Sequence, residues 1–178
     1  MMETNEKRKL STRRVACAAV AGAAYAALTM LLYPISYGTL QFRLSEALCV
    51  LPFFDPVFVP GLFVGCLIAN LISTSGPLDV IFGSLATLLA ALGTAACGRR
   101  SRRLGSCALG CLFPVVTNGV IVGAVLAATV AAEGETFTAA WLLYGGEVAL
   151  GEAAVLYAVG LPLARVLQKK NFLFKMLH

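Results

Sequence analysis

The sequence predicts an all-α integral membrane protein with six transmembrane helices and both termini in the cytoplasm. Three observations lead there. First, 59% of the 178 residues are hydrophobic and 13% charged, whereas a soluble domain carries about 25% charged residues. With a mean hydropathy of +0.84, too little polar surface exists to coat a water-soluble fold. Second, the basic residues form three clusters beside apolar runs: Lys7, Arg8, Lys9, Arg13 and Arg14; Arg99, Arg100, Arg102 and Arg103; Arg165, Lys169, Lys170 and Lys175. Only Arg43 lies outside them. Such clusters mark the cytoplasmic side of a membrane, so an even number of spans separates each pair. Third, Pro, Gly and Asp split the apolar sequence between Val15 and Gly98 into four pieces and a polar patch divides the remainder in two, to be read against the span of about 20 residues that a bilayer requires.

The first span runs from Val15 to Leu32 and stops before Tyr33-Pro34, because proline disfavours helix at the residue before it. It is too long, and lacks a convincing cleavage site before Pro34, to read as a signal peptide. Pro34 to Leu40 forms a loop, and a short second span covers about Gln41 to Phe54. Asp55-Pro56 and Pro60-Gly61 turn the chain into a third span ending near Ile72. The loop Ser73-Thr74-Ser75-Gly76-Pro77 leads to a fourth from about Leu78 to Cys97. Between Leu104 and Arg165 the patch Glu133-Gly134-Glu135-Thr136 separates a fifth span from a sixth. Trp141 and Tyr144, with Tyr33 and Tyr37, fall at the outer surface, where aromatic belts occur. The domain reading is a basic cytoplasmic segment 1–14, a single six-helix domain 15–166 and a basic cytoplasmic tail 167–178. No inverted repeat relates the halves.

Catalytic signatures are missing. There is no G-x-x-x-x-G-K-[ST] phosphate loop, and the single histidine, His178, excludes an H-E-x-x-H site. Asp55 and Asp79 lie on opposite sides of the membrane in this topology, against an aspartyl pair. Cys17, Cys49, Cys66, Cys97, Cys107 and Cys111 contain no C-x-x-C pair and read as small apolar packing residues. Nucleic-acid binding by the basic clusters is set aside in so apolar a chain. Neither an enzyme nor a metal or cofactor site is expected.

Function is therefore sought in polar groups placed where lipid should be. A charge at the centre of a span costs about 2.5–3.5 kcal/mol on insertion scales. Arg43 and Glu46, three residues apart, share a helix face. They form either an internal ion pair or the polar wall of a cavity, with Gln41 beside them. Glu147 and Glu152 are five apart, about 140° around a helix, so they cannot share a face. Glu147 follows Gly145-Gly146, which permits close approach of a ligand or a backbone. It reads as an unpaired carboxylate awaiting a cationic or amide-bearing ligand. Asn70 and Asn118 suit either interhelical hydrogen bonds or a heteroaromatic ligand. Asp79 reads as a helix cap and Asp55 as an ordinary turn residue. On the first span Ala16, Ala19, Ala23 and Ala27 make a small-residue stripe that lets another helix approach closely.

At Gln41-Phe42-Arg43-Leu44-Ser45-Glu46-Ala47-Leu48 and Leu51-Pro52-Phe53-Phe54 the chain resembles the QueT family. These proteins are substrate-binding (S) components of energy-coupling factor (ECF) transporters for queuosine precursors. The resemblance continues through Pro60-Gly61-Leu62-Phe63-Val64-Gly65-Cys66, Ala69-Asn70-Leu71 and Leu78-Asp79-Val80-Ile81-Phe82-Gly83-Ser84. It is weaker at Asn118 to Gly123 and at Gly146-Glu147.

The resemblance implies an S-component-like bundle in a bacterial cytoplasmic membrane. It would capture 7-deazaguanines such as 7-aminomethyl-7-deazaguanine for a transmembrane coupling subunit and two cytoplasmic ATPases. The coupling subunit would dock on the Ala stripe. A guanine edge presents two parallel donors, which a carboxylate accepts bidentately. Glu147 is the first choice for that edge. Glu46, Asn70 and Asn118 line the site, Arg43 orients Glu46, and Phe42, Trp141 or Tyr144 stacks on the ring. Competing readings are an S component for another nutrient such as a vitamin, a scaffold subunit, and an independent proton-coupled carrier relaying through Glu147 or Glu152.

Overall fold

The computed structural model describes residues 11–36, 42–73, 75–130, 136–170 and 177. Readings placed on Lys7, Arg8, Lys9, Tyr37, Gln41, Glu133, Glu135, Lys175 and His178 lie outside them. All regular structure among the described residues is helical. Four helices are long and apolar enough to cross a membrane: α1 (Thr12–Leu31), α4 (Asp79–Arg100), α5 (Leu104–Thr129) and α6 (Phe137–Lys169). Two shorter apolar helices, α2 (Leu44–Phe54) and α3 (Phe58–Asn70), lie between α1 and α4.

Local chemistry sets the ends and the irregular turns. The Ser11 hydroxyl caps α1 by accepting from the Arg14 N–H, and the helix ends at Leu31, two residues before Tyr33, with a single turn, Tyr33–Ser36, beyond it. Helix α2 opens as a 3-10 helix, Leu44–Val50, and becomes α-helical at Leu51. Its Pro52 falls where the 3-10 helix passes into the α-helical turn, a position that suits the fixed φ of proline. Within α5, Pro114 has no N–H to give the carbonyl of Gly110, and the helix is interrupted at Cys111. The Thr94 hydroxyl on α4 donates to that Gly110 carbonyl at 3.1 Å. In α6 the turns before Pro162 widen to a π-helix over Leu156–Gly160, a common accommodation of proline. A second π-helical stretch, Asp79–Gly83, opens α4.

Close backbone crossings help hold the bundle. A Cβ placed on Gly61 of α3 would lie 2.1 Å from the Ala18 carbonyl oxygen of α1, and one on Gly65 would lie 2.3 Å from that of Gly22. On the other side, a Cβ on Gly123 of α5 would lie 2.5 Å from the Gly145 Cα of α6. Small residues let backbones approach in this way, so packing replaces the hydrophobic drive that lipid abolishes. Tyr25, Cys49, Phe53, Leu62, Cys66 and Leu156 make the main core between these crossings.

Polarity is reversed relative to a water-soluble fold. Leu31 and Leu150 are 79% and 70% exposed, whereas Glu46, Asp79, Asn70 and Glu152 are buried. With four span-length helices, this outward-facing apolar surface makes the chain a multi-pass membrane protein.

One end of the bundle gathers the basic segments. Arg14 forms a buried ion pair with Asp55 at 2.6 Å, and Asp55 also accepts the Val57 N–H at 2.9 Å. Asp55 is thus no ordinary turn residue: it ties the start of α1 to the α2–α3 turn, and a buried carboxylate needs such a partner. Arg102 donates to the carbonyls of Phe53 and Phe54 at 2.8 and 2.6 Å, and Gln168 donates to the carbonyl of Arg102 at 2.5 Å. At the opposite end α2 starts below the end of α1, because Ser45 meets Thr29 and Glu46 meets Tyr25, both inside α1. The short α2 and α3 therefore place polar side chains below the rim set by the long helices.

Candidate functional site

In a 3-10 helix residues three apart eclipse one another. That geometry brings the Cys49 thiol against Glu46, where it donates to Oε2 at 2.9 Å. The other carboxylate oxygen of Glu46, Oε1, accepts from the Tyr25 hydroxyl of α1. One turn further along α1, Thr29 donates to the Tyr25 carbonyl at 2.9 Å and lies 2.6 Å from the Ser45 hydroxyl. Ser45 supplies the proton of that second contact. Glu46 is thereby buried and fixed in orientation by α1 and α2 together.

Arg43 precedes the 3-10 helix with extended backbone. Its guanidinium leaves α2 and pairs with Asp79 on α4, Nη2 to Oδ2 at 3.0 Å, and its Nε donates to the Ser36 carbonyl at 3.4 Å. Asp79 does more than cap a helix. It is fully buried, accepts from the Ser73 hydroxyl at 2.6 Å, and its carbonyl accepts from Asn70 Nδ2 at 3.0 Å. The reason is spatial: Asp79 faces Arg43 and α3 rather than water, and Gly83 makes room for it, since a Cβ there would lie 2.2 Å from Asp79 Oδ1. Asn70 also donates to Ser84 Oγ at 3.3 Å. Asp79 Oδ1 and Asn70 Oδ1 are buried and have no hydrogen-bond partner among the described residues.

The third group joins α5 and α6. Asn118 Nδ2 donates to Glu152 Oε1 at 2.6 Å, both side chains being buried. Glu152 Oε2 has no partner among the described residues. Glu46 and Arg43 lie close enough to act on Glu152 electrostatically. Glu147 is half-buried, with Oε2 buried and without a partner among the described residues. Of the two glycines before it, Gly145 faces the α5 backbone and Gly146 faces open space. Thr117 turns to its own helix, donating to the Phe113 carbonyl at 2.7 Å.

The aromatic candidates have different surroundings. Phe42 is 40% exposed just before α2. Trp141 donates to the Val120 carbonyl at 3.0 Å and lines an apolar groove of ≈ 460 Å³ with Leu78, Phe82 and Phe137. Tyr144 packs against the cluster of Ala86, Val122, Leu126 and Val148. On α1, Ala16, Ala19, Ala23 and Ala27 are all exposed, while Ala18, Gly22, Tyr25 and Ala26 face inward. Ala19 and Ala23 border a shallow groove of ≈ 360 Å³ shared with Gly61, Val64 and Ile68 of α3.

Helix by helix, the structure brings Arg43, Glu46 and Asn70 into a layer completed by Tyr25, Thr29, Ser45, Cys49, Ser73, Asp79 and Ser84. The sequence carries a faint signal for two of these. Tyr25 and Thr29 are four apart in an alanine-rich run, hence on one face, and they are the polar-tipped residues there.

A family model described as QueT transporter matches residues 15–169. The protein named queuosine precursor transporter QueT from Lactococcus lactis subsp. cremoris (strain MG1363) is 39% identical over 84 residues, 46% of this chain and 49% of the relative. That match spans about half the length of the relative. No solved structure matches the chain.

Proposed function

Because the chain belongs to the QueT transporter family, we propose that it is the substrate-capturing membrane subunit of an ATP-driven ECF importer for queuosine precursors. The ligand class is 7-deazaguanines such as 7-aminomethyl-7-deazaguanine. Its partners are a transmembrane coupling subunit and two cytoplasmic ATPases, which hydrolyse the ATP. The membrane is the bacterial cytoplasmic membrane, crossed six times with both termini inside. The contacts that gather Arg14, Arg102 and Gln168 at one end of the bundle support that topology.

One observation carries the reading. Among the buried polar atoms without a partner among the described residues are four amide and carboxylate oxygens: Asn70 Oδ1, Asp79 Oδ1, Glu147 Oε2 and Glu152 Oε2. All four are acceptors. Buried acceptors left unpaired are costly, about 1–3 kcal/mol each and more when charged, so the arrangement suits a ligand rich in N–H donors. A 7-aminomethyl-7-deazaguanine supplies them: a ring N–H and an amine on the guanine edge, a pyrrole N–H and a cationic arm. In this reading Glu147, Glu46, Arg43, Asn70, Asn118 and Gln41 make the polar wall. Phe42, Trp141 or Tyr144 supplies an aromatic face. The exposed stripe Ala16, Ala19, Ala23 and Ala27 receives the coupling subunit.

The test is uptake of labelled 7-aminomethyl-7-deazaguanine by cells expressing the chain with and without the coupling subunit and ATPases. Uptake that requires all components is the expected result. Uptake that persists without any ATPase contradicts the importer and favours an independent carrier.

A further inference from the structure

Glu152 is 3% exposed on α6, and its carboxylate is half used. Oε1 accepts from Asn118 Nδ2 at 2.6 Å, and Oε2, also buried, accepts from nothing among the described residues. Each carboxylate oxygen offers two lone-pair sites, so Oε2 keeps both and Oε1 keeps one. The carboxylate is also held still. Asn118 directly precedes Gly119, whose carbonyl oxygen would lie 2.7 Å from a Cβ on Gly145. The α5–α6 crossing that sets this approach therefore fixes the Asn118–Glu152 pair. Of the charged groups close to Glu152, Glu46 is held by Tyr25 and Cys49, and Arg43 is engaged by Asp79. Such a group, anchored by a neutral amide and unpaired on its far oxygen among the described residues, suits two parallel N–H donors.

We infer that Glu152, oriented by Asn118, is the residue that reads the paired ring N–H and exocyclic amine of the ligand. This rests on the deazaguanine reading above and deepens it. It places the guanine edge deeper in the bundle than Glu147. Glu147, half-buried and five residues nearer the start of α6, then faces the cationic arm.

The experiment is calorimetric binding to the purified full chain of two ligands: 7-aminomethyl-7-deazaguanine and its analogue lacking the 2-amino group. Both are measured on the wild type and on Glu152→Gln, with thermal unfolding as the check on folding. The wild type is expected to prefer the 2-amino compound by about tenfold or more, the size of one charge-assisted hydrogen bond. Glu152→Gln is expected to cut that preference to about threefold or less, because the amide presents a donor where the ligand also has one. A variant that weakens both ligands equally, or neither, overturns the assignment and leaves the transport reading standing. A folded wild type that binds neither ligand overturns the deazaguanine reading itself. If Glu152→Gln does not fold, Asn118→Ser takes its place: it frees the carboxylate to turn, and must lower the preference for the 2-amino compound. An unchanged preference in Asn118→Ser counts against the inference.

Discussion

Arg43 and Asp79 form a buried ion pair at 3.0 Å, joining the start of α2 to the start of α4 across 36 residues of sequence. Arg43 is 4% exposed and Asp79 fully buried. Removing one partner leaves a buried charge without its counterion, which costs about 3–5 kcal/mol. Arg43→Ala and Asp79→Ala are each expected to lower the thermal unfolding midpoint in detergent strongly. The double variant is expected to fall by less than the two single effects summed. Strictly additive effects would show that the pair does not couple the two helices.

Thr94 is expected to matter through a proline it does not touch in sequence. Its hydroxyl donates to the Gly110 carbonyl that Pro114 leaves without an intrahelical donor. Thr94→Val preserves shape but strands that acceptor, at a cost of about 1–3 kcal/mol. In a Pro114→Ala background, where residue 114 regains its N–H, the same substitution is expected to cost less. Unfolding midpoints of the four proteins check this, and an equal cost in both backgrounds counts against it.

Tyr25 holds Glu46 from a neighbouring helix. Tyr25→Phe removes that donor and leaves Cys49 to orient the carboxylate. If Glu46 is part of the ligand wall, affinity for 7-aminomethyl-7-deazaguanine falls about tenfold, the worth of one charge-assisted hydrogen bond. Calorimetry on the folded variant measures it, and unchanged affinity would place Glu46 outside the site.

The exposed alanines of α1 separate capture from transport. Ala19→Leu and Ala23→Leu add bulk to the exposed face of α1, beside the shallow groove it shares with α3. Ligand binding by the solitary chain is expected to stay within about twofold of wild type, while ATP-driven uptake is lost by steric exclusion of the coupling subunit. Normal uptake by both variants would move the docking surface elsewhere.

Much of the helical framework was legible because its signals are local. Apolar runs gave α1, α4, α5 and α6, and Pro34, Asp55-Pro56 and Ser73 to Pro77 fell between α1 and α2, α2 and α3, and α3 and α4. Arg43, Glu46, Asn70 and Asn118 stood out as polar groups in apolar company, and all four are buried. What was illegible depends on contacts distant in sequence. An Asp at a helix start has an ordinary local role, so Asp79 read as a cap; its partner Arg43 lies 36 residues away. Asp55 read as an ordinary turn residue for the same reason, its partner Arg14 being 41 residues distant. The eclipsing of Glu46 and Cys49 needs a 3-10 turn, which hydropathy does not distinguish from an α-helix. Glu152 was visible as an intramembrane acid, but its direction came only with the α5–α6 crossing at Gly123 and Gly145.

Binding of 7-aminomethyl-7-deazaguanine to the detergent-purified chain alone, measured by calorimetry with guanine as the control, decides the proposed role. Submicromolar affinity with clear preference over guanine is the expected result, because unpaired acceptors remain for the cationic arm as well as for the ring edge. No binding of either compound to folded protein, or equal binding of both, would contradict capture of a queuosine precursor by this chain.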